Sequence, residues 1–284
     1  MTSVVIPVLD GLHILPTIVP AVLAMHGVDE VVWVDDGSND GTSEWLDAAL
    51  EGHPTARVLH LDTNRGRAAA RNAGAAAVSG DILVFLDADV EPTPETARAL
   101  TDAASGRGAV AAVARLDHVV DNPDDPFQDY VANHPRGPSP GTPGGGTIDW
   151  RFFLSGACAV RHEAFAEVGG FDSSIAYGED VALGCDLKRV YPNGLRLADS
   201  TVRLHDLGDL DGALDHAAAL GRNLTTLQTR CPGFAPKPMG TDRIAWLAKP
   251  LLQIAIKVLG SGKNRRKAVR YLLGATVLHA SRRA

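Results

Sequence analysis

Cysteine is scarce. The 284 residues contain three, Cys158, Cys185 and Cys231, none in CxxC spacing. That excludes a disulfide scaffold and a cysteine zinc site, and the expectation is a reducing compartment. The chain also lacks a run of the roughly 18 uncharged apolar residues that a membrane-spanning helix requires. Its longest apolar stretch, 244–259, is broken by Lys249, Pro250, Gln253 and Lys257. The N-terminus has no basic segment and meets Asp10 at once, so a secretory leader is not expected. No G-x-G-x-x-G follows the first apolar run, which argues against a dinucleotide dehydrogenase. The same position reads Pro7-Val8-Leu9-Asp10-Gly11, with one glycine. It therefore also lacks the glycine-rich phosphate loop of a sugar-1-phosphate nucleotidyltransferase. These absences lead to the expectation of a cytoplasmic chain.

What is present is a foldable composition, 45% hydrophobic and 21% charged, with a net charge of -7. The charge is uneven. Residues 241–284 hold ten basic side chains and a single acid, Asp242, so this tail carries +9 and the remainder -16. An acidic body argues against a nucleic-acid partner. A basic tail suits anionic lipid, giving an expected peripheral contact with the inner face of a membrane through 244–283.

Short β-branched runs at 3–8, 30–34, 57–61 and 82–86 alternate with helical patterns at 12–26, 42–50, 68–79 and 94–104. This alternation predicts an α/β fold with a mostly parallel central sheet flanked by helices. Ligands of such sheets lie beyond the carboxyl ends of the strands. Acidic residues stand at three such ends: Asp10, Asp35-Asp36 and Asp87-Ala88-Asp89. Segment 134–147 is too rich in proline and glycine for helix or strand and reads as a flexible loop, either a plain linker or a flap. Beyond it the patterns predict a strand at 150–161, a helix at 179–190, a strand at 196–204 ending at His205, and helices at 211–230, 244–259 and 265–281. Three parts are expected: a nucleotide-binding half at 1–115, a second half at 116–240 and a basic amphipathic helical tail at 241–284.

Several of these residue patterns carry chemistry. Side chains alternate along extended backbone, so Asp87 and Asp89 can share a face. Two carboxylates suit a hard cation such as Mg²⁺ or Mn²⁺ that bridges phosphate oxygens. Acidic pairs also end strands for purely structural reasons. Asp35 and Asp36 follow an apolar strand and need donors, which a nucleotide base or ribose can supply. Arg65-Gly66 and Arg71 sit at a loop and the first turns of a helix, where a diphosphate is favoured. Glu179 and Asp180 open a helix, either as ordinary N-terminal acids or with one of them acting as a general base.

Together the order Val4-Val5-Ile6-Pro7, Val34-Asp35-Asp36-Gly37-Ser38, Arg71-Asn72-x-Gly74, Phe85-Leu86-Asp87-Ala88-Asp89, Gly169-Gly170-Phe171-Asp172 and Gly178-Glu179-Asp180 resembles the family-2 glycosyltransferases of the GT-A fold. The resemblance covers roughly residues 1–230. It implies a Rossmann-like nucleotide-binding half, an acceptor-binding half, and inverting transfer of one sugar from a UDP- or GDP-sugar to an acceptor hydroxyl. It implies that Pro7, Leu9 and Asp36 hold the base. Asp87, Ala88 and Asp89 would meet ribose and a divalent cation, with Asp89 touching the ion. Asp180 matches the family's catalytic base, and His205 stands where some relatives add a metal ligand. A small-molecule or lipid-linked acceptor is expected. The chain departs from the pattern at Val8-Leu9-Asp10, where many relatives have an aromatic residue and an asparagine. It also lacks the Gln-x-x-Arg-Trp of processive synthases, so single addition is expected. Intact Asp87, Asp89 and Asp180 argue against a nucleotide-sugar binder that has lost catalysis.

Overall fold

Apolar side chains alternate along the first strand, and this decides what packs on each face of the sheet. A computed structural model describes residues 1–134, 138, 143–234, 249–259 and 262–281, with side chains from 252 onward in the segment that begins at 249. Two compact units are present. The first comprises Met1–Asp117, Gly137–Ser174 and Glu179–His205; the second comprises His118–Arg136, Ile175–Gly178 and Asp206–Ala284.

In the first unit, β1 (Thr2–Val8), β2 (Glu30–Asp35), β3 (Ala56–His60) and β4 (Ile82–Leu86) alternate with α1 (Leu15–Leu23), α2 (Thr42–Leu50) and α3 (Arg67–Ala76). The order β3-β2-β1-β4 is parallel throughout. Val4, Ile6 and Val8 pack with Ile18 and Leu46, whereas Val5 points to the other face with Ala70 and Phe85. The remaining strands are β5 (Val90–Glu91), β6 (Ala111–His118), β7 (Ala157–Arg161) and β8 (Leu195–Leu204). They extend one eight-stranded sheet in the order β4-β7-β6-β8-β5. The β4–β7, β6–β7 and β5–β8 pairs are antiparallel, so the parallel pairing lies in the first four strands. Three helices complete this unit: α4 (Thr96–Ser105), α6 (His162–Glu167) and α7 (Glu179–Val190).

Two local readings change. The strand expected at 150–161 begins only at Ala157. Trp150–Phe152 is instead a 3₁₀ turn, started by the Asp149 side chain, which accepts from the Arg151 N–H. Part of the 134–147 loop lies outside the described residues, but Thr147 bridges Arg196. Cys158 is a buried free thiol.

The ladder between β1 and β4 stops at Val5–Phe85, while the β1–β2 ladder continues to Val8–Asp35. Pro7, which has no N–H to donate, therefore sits where β1 has already parted from β4. From β1 the chain crosses to β2 on one side, and β4 lies on the other. This is the reversal point at which open α/β sheets form a ligand crevice.

Helix α3 lies close against the floor of this crevice. A Cβ on Gly74 would stand 2.3 Å from Val5 Cγ1 and 2.8 Å from Val34 Cγ2. Both valines are fully buried, so neither can retreat. Gly74→Ala is expected to cost about 1–3 kcal/mol from overpacking, offset by up to about 1 kcal/mol of helix propensity. Urea unfolding monitored by circular dichroism measures the net loss.

The second unit is helical in its described residues. It contains α5 (Pro126–Asn133), α8 (Leu210–Arg230), α9 (Lys249–Val258) and α10 (Lys263–Ser281). Leu214, Ile256, Val269 and Leu272 form its main cluster. Arg265 donates to the Asp124 carbonyl and, with Arg266, to Asp129. Among the described residues no helix is long and apolar enough to cross a membrane.

Candidate active site

The acidic turns at the carboxyl ends of β1, β2 and β4 are held by backbone hydrogen bonds. The Asp10 carboxylate accepts from the Asn39 N–H at 2.8 Å, and the Asp10 N–H donates to Ser38 Oγ at 2.9 Å. Between these ties Leu9 stays 42% exposed at the rim, beside the buried Pro7. Asp36 is buried, and its two oxygens accept from the Arg65 and Gly66 N–H groups, each at 2.8 Å. That contact requires close approach. A Cβ on Gly37 would lie 2.8 Å from the Asn64 nitrogen, and Gly37 has φ +78, so glycine is needed on both counts.

Asp35 takes the Ser38 N–H, the Ser43 hydroxyl and His60. Burial works against its charge, but these donors hold its carboxyl below the ordinary range. The protein itself thus supplies donors to both aspartates. A carboxylate accepts up to about four hydrogen bonds, so Asp36 keeps capacity for a ligand.

One turn into α3, Arg71 is 1% exposed. Its Nη1 donates to Glu179 Oε1 at 3.0 Å and its Nη2 to Asp87 Oδ1 at 2.5 Å. The guanidinium carbon lies 5.3 Å from the Phe171 ring centroid. Phe171 in turn packs on Phe85 and Phe165. Burial opposes the cation, and Asp87 and Glu179 more than restore it, leaving Arg71 firmly charged. The residue read as a diphosphate contact therefore spends both terminal nitrogens on carboxylates and has almost no surface to offer a ligand. It joins the first acid of the Asp-x-Asp to the first acid of the Glu179-Asp180 pair. Arg67, exposed on the preceding turn, comes within 3.6 Å of Glu179.

The Asn72 amide donates to the Phe171 carbonyl at 2.7 Å and its oxygen accepts the Phe171 N–H at 3.0 Å. The Gly169-Gly170 turn, with φ of +84 and +70, delivers Phe171 to this clamp. The pairing of Arg-Asn with Gly-Gly-Phe is thus structural support for the acids. Gly156 was not singled out. Its carbonyl accepts the Asp87 N–H at 3.0 Å, and a Cβ there would stand 3.0 Å from Asp87 Oδ2.

Asp180 opens α7 and accepts the Val181 N–H at 2.7 Å. Burial, then the neighbouring Glu179 charge, push its carboxyl up to about 6, with Arg71 and Arg67 pulling the other way. A carboxylate poised there can take a proton near neutral pH.

Asp89 follows Asp87 on the rim, and its carbonyl accepts the His205 N–H at 2.9 Å. The β5–β8 pairing thus brings the His205 backbone beside Asp89. Its imidazole, however, lies 2.7 Å from Glu91 Oε2. Among the described residues no three side chains form a ready metal cage. Mg²⁺ and Mn²⁺ do not require one, since one or two carboxylates plus substrate phosphates suffice. Asp87 and Asp89 fit that chemistry.

Comparison with known proteins identifies the family and the fold. Residues 3–169 match the family model described as glycosyl transferase family 2. The chain belongs to this family. It is 29% identical over 290 residues to the pre-mycofactocin glycosyltransferase of Mycobacterium tuberculosis (strain ATCC 25618 / H37Rv), covering 99% of this chain and 58% of that protein. It is 39% identical over 110 residues to an undecaprenyl-phosphate 4-deoxy-4-formamido-L-arabinose transferase of Aeromonas hydrophila, covering 37% of this chain and 33% of the relative. The chain thus spans a third to three-fifths of the length of these relatives. The mannosyltransferase of Pyrobaculum calidifontis, solved with GDP-Man and Mn²⁺, superposes with a TM-score of 0.67 at 18% identity, covering 99% of this chain and 85% of that one. The fold is the GT-A glycosyltransferase fold.

Proposed function

We propose that this enzyme moves one sugar, with inversion, from a nucleoside diphosphate sugar to an acceptor hydroxyl, with help from a divalent cation. The observation that carries this reading is the buried Arg71 linking Asp87 and Glu179, with Asp180 next in sequence and held near neutrality.

In this reading Pro7, Leu9 and Asp36 receive the base at the β1–β2 rim, and Leu9 offers an aliphatic surface in place of an aromatic one. Arg65 and the Gly66 amide face the diphosphate. Asp87 and Asp89 hold the cation, and Ala88 lies against the ribose. The cation, when bound, neutralises charge on the departing diphosphate. Asp180 accepts the acceptor proton as that hydroxyl attacks the anomeric carbon from the face opposite the leaving group. Direct displacement needs this one base and no covalent enzyme intermediate, unlike a retaining glycosidase. Glu179 and Arg71 position Asp180 and Asp87. The Aeromonas relative is named for undecaprenyl phosphate, and this supports a lipid-linked acceptor.

The test is a panel of UDP- and GDP-sugars, assayed for hydrolysis without acceptor, with and without Mn²⁺. At least one donor is expected to turn over in a metal-dependent way. Asp89→Ala is expected to lower that rate by about 10²-fold or more. Unchanged turnover in Asp89→Ala, or no donor accepted at all, would overturn the reading.

A further inference from the structure

The second unit carries a surface to which the proposed transfer assigns no residue. Helix α9 packs inward through Ile256. Its outward side is mixed: Ile254 is 58% exposed and Val258 76%, and Gln253 and Lys257 are exposed beside them. Ile254 and Val258 are four residues apart and so form one apolar stripe. Large apolar side chains this exposed mark a contact surface when they cluster. Leu259, also exposed, continues the patch past the helix end.

Helix α10 presents a different face. Lys263, Lys267 and Arg270 are exposed at helical spacing, while Ala268, Val269 and Leu272 face the core. Lys263, Arg266, Lys267, Arg270, His134 and Tyr271 line a cavity of about 390 Å³. Arg266 is paired with Asp129, and Lys267 lies over the Tyr271 ring. Among the described residues no ion pair involves Lys257, Lys263, Lys267 or Arg270. From Arg243 to the last residue the sequence contains no acid at all. The cationic face is therefore not neutralised by its own tail.

We infer that α9 and α10 form a docking surface for an anionic lipid bilayer. Lys257, Lys263, Lys267 and Arg270 would meet lipid phosphates, the α10 cavity would receive a headgroup, and Ile254 and Val258 would enter the acyl boundary. Exposed apolar residues next to cations characterise helices lying in a membrane interface. A nucleic acid would use the cations but gain nothing from Ile254 and Val258. Beside α9, Asp125, Asp209 and Asp211 line one cavity with Ile254 and Lys257, so the attraction to anionic lipid rests on the α10 cations. The inference extends the lipid-linked acceptor reading, yet vesicle binding is measured without donor or acceptor and fails or succeeds apart from transfer.

The test is sedimentation of the full chain with phosphatidylcholine vesicles, with and without phosphatidylglycerol. Binding is expected only with phosphatidylglycerol. Combined Lys263→Glu, Lys267→Glu and Arg270→Glu is expected to weaken it by about 10²-fold. Combined Ile254→Ser and Val258→Ser is expected to leave low-salt binding but remove the part that survives high salt. All five positions are exposed and both variants should melt like the wild type; donor hydrolysis should be unchanged. A wild-type chain that ignores phosphatidylglycerol vesicles would overturn the inference. So would charge-reversed protein that binds them equally, or a single-stranded oligonucleotide that displaces the chain from vesicles.

Discussion

Asp180→Asn is expected to lower sugar transfer by about 10²–10⁴-fold, the range for loss of a positioned general base. Donor affinity should stay near that of the wild type, because the base, ribose and diphosphate contacts are assigned to other residues. The pH profile gives an independent check. Burial and Glu179 raise the Asp180 carboxyl to about 6, so the basic form is lost as pH falls through that value. Wild-type transfer should therefore rise with pH up to about 6 and level off above it. An unperturbed aspartate would stay active down to about pH 4. Stability should move the other way from activity. A carboxyl raised in the folded state disfavours folding above its unfolded pKa, so neutralising it should not lower the melting temperature at pH 7. Full transfer by the asparagine variant, or a profile flat to pH 4.5, would remove Asp180 from this role.

Arg71→Met carries the second large effect. It keeps an apolar stem in a buried site but strips the counter-charge from Asp87 and Glu179. Breaking a buried pair from one side costs about 3–5 kcal/mol. Loss of fold alone would not identify the role, so the pH profile again decides. Arg71 lowers the Asp180 carboxyl, so its removal should move the midpoint of transfer upward. Gly74→Ala is destabilised by a clash and leaves those charges in place. Its midpoint should stay where the wild type's is. Arg71→Lys keeps a charge but replaces a planar fork by one ammonium, which cannot reproduce both contacts. Partial rescue of stability with poor transfer is expected. Equal midpoints in Arg71→Met and Gly74→Ala would reduce Arg71 to a packing residue.

The N-terminal half of the fold was legible because its strands are short, β-branched and bounded by turn residues. β1, β2, β3 and β4 fall within a residue or two of the expected runs. β6 escaped the reading because Ala111–His118 is rich in alanine, which hides a strand among good helix formers. Helix α5 escaped too, although Asp125 caps it and Pro126 occupies its first turn, a start signal that was there to use. Strand direction beyond β4 has no local signature, so the antiparallel pairs β4–β7 and β6–β7 had to come from the structure. The acids of the candidate site were legible as residue types at strand ends. Their partners were not. Nothing in the spacing of Arg71, Asp87 and Glu179 announces one guanidinium between two carboxylates, since 108 positions separate its ends.

Helix α3 fixes three things in ten residues: the loop amides that hold Asp36, the Arg71 fork and the Gly74 slot against Val5. Each depends on which way the helix is turned. Adding or deleting a single residue inside it would rotate everything downstream by about 100°, taking the fork from its acids and the glycine from its slot together. Length changes in this lineage should therefore collect outside 67–74, and a library of engineered insertions should survive nearly everywhere else on the surface before it survives there.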